Sequence, residues 1–168
     1  NYNKNMFKFE KLIFGDLGWG DEFLFAMLMT ILVSVLSMGL GLFIAIFTVW
    51  AKLSYSRLLK VIANFYTTVI RGIPELLVIY LIFFGGSSLI MKISKIFGYN
   101  GYIELNALLI SVVAIGIISA TYSSEVLRAA YLSIPKGQVE AANSLGLSKL
   151  SIFIKILTPQ IIRHAIPG

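Results

Sequence analysis

Cysteine is absent from these 168 residues, and histidine occurs once, at His164. The first absence excludes a disulfide framework and a thiolate metal site. The second, with no paired His or carboxylate spacing, leaves no metal site expected; a lone His in a basic tail reads as interfacial. Charge is scarce too: Asp, Glu, Lys and Arg make 13% of the chain, about half the share of an ordinary soluble domain. There is no Gly-rich phosphate loop ending in Gly-Lys-Ser/Thr, so the chain is not expected to bind ATP itself. No arrangement of side chains suggests an enzyme.

What is abundant is apolar. Hydrophobic residues make 58% of the chain, against about 45–50% in soluble domains even with Gly counted as apolar. A soluble globule could not hide that much surface, so an all-α membrane protein is expected. The net charge is +6. These charges are scattered between apolar runs rather than gathered into a patch, which argues for membrane topology and against a nucleic-acid partner.

Three apolar stretches dominate. Phe23 to Ala51 runs 29 residues without a charge, and about 20 helical residues cross a bilayer core. Gly39 and Gly41 lie within it; they either let another helix approach closely or face lipid. Trp19 and Trp50 bracket the stretch as interfacial aromatics do. Val61 to Met91 is broken by Arg71-Gly72-Ile73-Pro74-Glu75, and Leu105 to Ser124 runs uncharged between Glu104 and Glu125. Spans are therefore expected at about 23–51, 58–91 and 105–124. Residues 1–22 would form an external segment, and they show no apolar core followed by a cleavage site, so no signal peptide is expected. Gly98, Asn100 and Gly101 mark a turn before the third span.

Charge sets the expected orientation. With the N-terminus outside, eight basic residues fall inside (Lys52, Arg57, Lys60, Arg128, Lys136, Lys149, Lys155 and Arg163) and five outside (Lys4, Lys8, Lys11, Lys92 and Lys95), with Arg71 in the membrane. The positive-inside rule favours that arrangement.

The segment 125–168, cytoplasmic on this reading, has its own grammar. Pro135 can open a helix, and Gly146 suits a left-handed stop after Leu145. Ser148 can cap a second helix near Lys149. Ile152, Phe153 and Ile156 share a face of it, and Pro159 is expected to kink or end it. Helix, tight turn, helix follows.

Three stretches carry a resemblance. "EAANSLGLSKLSIFIKILTP" resembles the EAA loop of the permease subunits of ABC importers, through Glu140-Ala141-Ala142, Gly146, Ile156 and Pro159. Thr158 departs from it, standing where the family usually has Leu. "YTTVIRGIPELLVIYLIFFGG", Tyr66 to Gly86, looks like the second span of the polar amino-acid branch. "YSSEVLRAAYLSIPKGQVEAANSLGLS", Tyr122 to Ser148, looks like that branch's run from third span into loop. Glu75, after the proline, looks most like the histidine, lysine-arginine-ornithine and opine permeases. Members of the branch usually have five spans, two of them after the loop. With three here, the chain is expected to be a fragment or truncated product lacking roughly the last quarter.

The resemblance implies a multi-pass protein of the bacterial inner membrane. It would form the pathway of an ATP-driven importer for amino acids of the basic or opine class. The implied partners are an ATPase subunit that binds the ATP, a second permease subunit, an external solute-binding protein and membrane lipid. Lys136 to Gly146 would dock into a groove on the ATPase. Ala141 and Ala142 would be small so that the helix seats closely. Glu140 would accept a charge-assisted hydrogen bond across the interface or bond within the loop; otherwise it is a solvated charge.

Arg71 and Glu75, four apart, could pair on one helix face. Either Glu75 meets a cationic substrate, or the two lock a kink or touch a neighbouring subunit; the structural role is the expectation. Glu125 and Arg128, three apart, either pair with each other or anchor the loop, or are solvated at the interface; the solvated role is the expectation. Two rivals to the importer are a membrane-anchored assembly protein, using the tail as a docking module without a transport pathway, and a secondary transporter. The second should show an inverted repeat, and none is visible.

Overall fold

The computed structural model describes residues 18–98 and 106–167, and among these there are helices and no strand. The chain divides into two compact units, Asn1–Leu36 and Ser37–Gly168. The predicted external segment falls outside the described residues from 1 to 17, as does the Asn100–Gly101 part of the expected turn.

Helix α1 is Gly20–Leu53. Asp21 and Glu22 lie in its first turn and Lys52 in its last, each sign where the helix dipole favours it. In the first unit, Thr30 Oγ1 and Ser34 Oγ donate to the carbonyls of Ala26 and Thr30, both at 2.8 Å. The hydroxyls are thus satisfied without water, as a lipid-facing helix requires. Phe23, Phe25 and Ile31 are exposed on this part of the helix.

The second unit begins within α1 and holds the remaining helices. Helix α2 is Arg57–Gly72, and α3 is Glu75–Ile96, with a π-helical turn at Leu81–Gly85. Helix α4 is Ala107–Leu132, capped by Asn106, whose side chain accepts from Leu108 N at 2.9 Å. Helices α1, α3 and α4 are long and apolar enough to cross a membrane.

Two helix limits differ from the limits expected for the spans. The stretch 58–91 is two helices, with the crossing one starting at Glu75. Ile73 is extended (φ −105°, ψ 140°) because the Pro74 ring disfavours helical backbone in the residue before it, and Pro74 has no N–H to continue the ladder. The third helix does not stop at Ser124 but carries Glu125 and Arg128 within it, to Leu132. Pro135 closes it instead, for the same reason.

Helix α4 is the hub. Some 39% of its most apolar stretch is buried, against 6% for α3, and α2, α3 and the last helix all pack on it. The second half of α1 meets α4 at two glycines. A Cβ on Gly41 would lie 3.0 Å from Ser119 Cβ and 3.1 Å from the Gly116 carbonyl, and one on Gly116 would lie 3.0 Å from Leu40; Gly39 faces open space. Of the two glycines in the first span, Gly41 makes the close approach and Gly39 does not.

Candidate functional site

The segment after α4 folds as a helical hairpin. Helix α5, Lys136–Ser144, ends in a Schellman turn: Gly146 N donates to Asn143 O at 2.9 Å and Leu147 N to Ala142 O at 3.2 Å. That geometry places the residue after the cap in left-handed backbone, and Gly146 has φ 76°. Ser148 caps α6, Lys149–Ile152, accepting from Ser151 N at 3.3 Å. A π-helical turn, Phe153–Leu157, leads into α7, Thr158–Ala165.

Pro159 does not end the helix, one of the two outcomes its sequence position suggested. It sits in the first turn of α7, directly after the wider π-helical turn, where its missing N–H is tolerated. Thr158, the departure from the usual Leu, donates its hydroxyl to Phe153 O at 2.9 Å across that turn.

A small core holds the hairpin: Ile134, Ala142, Ile152 and Leu157 are buried together, with Tyr131, Val139, Ile156 and Ile161 packed against them. Gln160 Nε2 donates to Gln138 Oε1 at 2.6 Å, tying α7 to α5. Of the four residues singled out in this loop, Glu140, Ala141 and Gly146 are exposed. Ala142 is 3% exposed and faces the hairpin's own core, so its smallness serves internal packing. The Glu140 carboxylate has no hydrogen-bond or ionic partner among the described residues, so the local bond considered for it is not made.

The other expected pair is arranged differently from a helix-face ion pair. Arg71 closes α2 and Glu75 opens α3, on either side of the Pro74 break, and Tyr122 of α4 stands between them. Its hydroxyl donates to Glu75 Oε1 at 3.0 Å, and the Arg71 guanidinium lies 5.4 Å from its ring centroid. All three side chains are open to their surroundings. Arg71 also lines a polar cavity of about 370 Å³ with Thr67, Thr68, Gly72 and Glu125.

Sequence reasoning missed a buried charge. Lys52, at the end of α1, has a side chain only 2% exposed; its ammonium pairs with Glu125 Oε1 and donates to Thr67 Oγ1 at 2.7 Å. Glu125 Oε2 accepts from Arg128 Nε at 3.0 Å. The pairing of Glu125 with Arg128 was one of the roles expected for them, but not the covered one: Glu125 is about three-quarters covered, with two cations on it. A signal was present: with the first and third spans running in the same direction, Lys52 and Glu125 close their respective runs at the same membrane face.

A chain of three apolar spanning helices with a glycine-closed helical hairpin after the last has the build of a transporter's membrane subunit. The family model described as binding-protein-dependent transport system inner membrane component matches residues 37–168, and the chain belongs to that family. It is 43% identical over 158 residues to the nopaline transport system permease protein of Agrobacterium fabrum, covering 94% of this chain and 67% of that protein. It is 39% identical over 143 residues to the arginine ABC transporter permease protein of Haemophilus influenzae, covering 85% of this chain and 62% of that one. The crystal structure of an amino acid ABC transporter with histidines matches with a TM-score of 0.64 at 31% identity, covering 83% of this chain and 60% of that chain. The chain thus spans about two thirds of the length of its curated relatives.

Proposed function

We propose that the chain serves in the permease of an ATP-driven importer for amino acids of the basic or opine class. The observation that carries this reading is the α5 hairpin on a chain of this family: a compact projection stiffened by its own core, with Glu140 and Ala141 turned outward. Such a projection suits transmission of movement from a soluble ATPase, because a hairpin with a packed core moves as one piece. Glu140 is free to accept a hydrogen bond from that partner, and Ala141 leaves room for close seating. ATP would be bound by the partner, and the permease would need no cofactor of its own. A second permease subunit and an external solute-binding protein complete the assembly, with the hairpin on the cytoplasmic face of the bacterial inner membrane.

The Arg71, Tyr122 and Glu75 group lies at the mouth of α3 and offers a guanidinium, a hydroxyl and a carboxylate. These complement the carboxylate and cationic groups of a basic amino acid or an opine. Two roles fit this group: Glu75 meets a cationic substrate, or Tyr122 and its two charged neighbours hold the α2–α3 break.

Reconstitution of the assembled transporter with its ATPase and binding protein in lipid vesicles tests the reading. ATP hydrolysis should rise when the binding protein carries arginine, lysine, histidine or an opine, with uptake to match. Association with the ATPase but no response to any amino acid or opine would return the chain to the anchored-docking class.

A further inference from the structure

The geometry points to Lys52 and Glu125 as a clasp that makes the ends of α1, α2 and α4 move with the α5 hairpin, so that both act as positioning residues for energy coupling. This rests on the importer reading and adds to it the element that carries the motion.

An ammonium has three donors and no acceptor. That of Lys52 is buried, with Glu125 Oε1 and Thr67 Oγ1 as its partners. Thr67 is free to accept because its own hydroxyl proton is directed at the α2 backbone, with Ala63 O and Asn64 O each 3.2 Å away. Three helices therefore meet at one ammonium: α1 supplies it, α4 the carboxylate and α2 the hydroxyl. Arg128, whose side chain is 40% exposed, holds the second carboxylate oxygen, so Glu125 stays oriented when the clasp is made.

The clasp is mechanically continuous with the hairpin. Helix α4 runs unbroken from Glu125 to Leu132, about 10 Å at 1.5 Å per residue. Helix α5 starts four residues beyond, and α7 packs back along α4. A displacement of α5 therefore reaches Glu125 through the core that Ala142 and Val139 share with Tyr131 and Ile134, and then through the last turns of α4. On the other side, Thr67 lies one helical turn from Arg71, and Glu125 and Thr67 line the same polar cavity as Arg71. A buried charge left without its partner is costly, so such a pair is made or broken as a unit instead of stretching. That all-or-none character is what a two-position coupling device needs.

The discriminating variant is the double Lys52→Met with Glu125→Gln, measured in the assembled transporter in vesicles. It removes the pair without leaving an unpaired buried charge, a replacement that proteins often tolerate. If the pair were only structural, this variant would insert normally and transport normally. As a clasp, it should reach the membrane at wild-type level, hydrolyse ATP without dependence on substrate or binding protein, and lose uptake at least about tenfold, the scale of breaking one charge-assisted hydrogen bond. The ratio of cationic to neutral uptake should stay unchanged, since neither residue is assigned to substrate.

Coupled transport by the double variant overturns the proposal, as does a changed substrate ratio, which would place Glu125 on the substrate. Glu125→Gln alone is the second variant: it keeps an acceptor for Lys52 and should show weaker uncoupling. Absence of both variants from the membrane would make the pair a stability element and overturn the clasp. Wild-type transporter that shows no substrate-stimulated hydrolysis would instead fell the importer reading itself.

Discussion

Tyr122 donates its phenolic proton to Glu75 Oε1 at 3.0 Å, and the same ring lies beneath the Arg71 guanidinium. One aromatic residue of α4 thus joins a cation that ends α2 to an anion that starts α3. Tyr122→Phe separates its two contacts, keeping the ring and removing the donor.

Glu75→Gln should lower uptake of lysine, arginine or histidine by about tenfold or more, the scale of one charge-assisted hydrogen bond, and lower neutral uptake less. Tyr122→Phe should lower cationic uptake by a smaller factor, because the carboxylate remains. Competition uptake in vesicles with cationic and neutral substrates measures both. An equal loss for both substrate classes, with poor insertion, would assign Glu75 to holding the α2–α3 break.

Gly146 has φ 76° and open space where a Cβ would go, so substitution there acts through backbone strain alone. Valine should cost ~1–2 kcal/mol in the left-handed region, whereas Asn, which visits that region, should cost less. Gly146→Val should weaken association with the ATPase while leaving membrane level near normal, and Gly146→Asn should lie between it and wild type. Co-purification in detergent gives the order; equal association for all three would make the hairpin a passive connection.

Neighbouring alanines should respond oppositely. Ala141 is exposed, so Ala141→Trp should leave the melting temperature unchanged and block association with the ATPase. Ala142 is 3% exposed in the hairpin core, and Ala142→Trp should cost at least about 1–3 kcal/mol by overpacking, lowering the melting temperature as well. Thermal unfolding paired with co-purification separates the two causes.

Gly41→Ala should destabilise by about 1–3 kcal/mol, because its Cβ would meet a backbone carbonyl at 3.1 Å and Ser119 Cβ at 3.0 Å. Gly39→Ala, facing open space, should be neutral or slightly stabilising, since Ala suits a helix better than Gly. Unfolding midpoints in detergent provide the comparison, and matching values for the two would contradict the close crossing of α1 on α4.

These 168 residues contain no cysteine, so single cysteines can be introduced into this stretch for accessibility labelling. Ser54→Cys and Lys136→Cys should react with an impermeant thiol reagent only from the cytoplasmic side, and Lys95→Cys only from outside. Labelling of Lys95→Cys from the cytoplasm would invert the proposed orientation.

The sequence by itself determined whatever depends on neighbours along the chain. Uncharged runs of 16 to 29 residues specify apolar helices, and Pro135, Gly146 and Ser148 specify the helix–turn–helix of α5 and α6 through local backbone chemistry. The interruption at Arg71 to Glu75 was legible, but its consequence was not. Spacing alone put Arg71 and Glu75 on one face, whereas the Pro74 break separates them and Tyr122, 47 residues after Glu75, fills the gap. Only the tertiary structure decided which glycine of α1 meets α4, that Ala142 faces inward, and that Lys52 reaches across 73 residues to Glu125. Periodicity records how apolar a face is, not what packs on it. A charge at the end of an apolar run reads the same in sequence whether it is solvated or buried, and the partner that makes burial tolerable arrives only when distant helices are brought together.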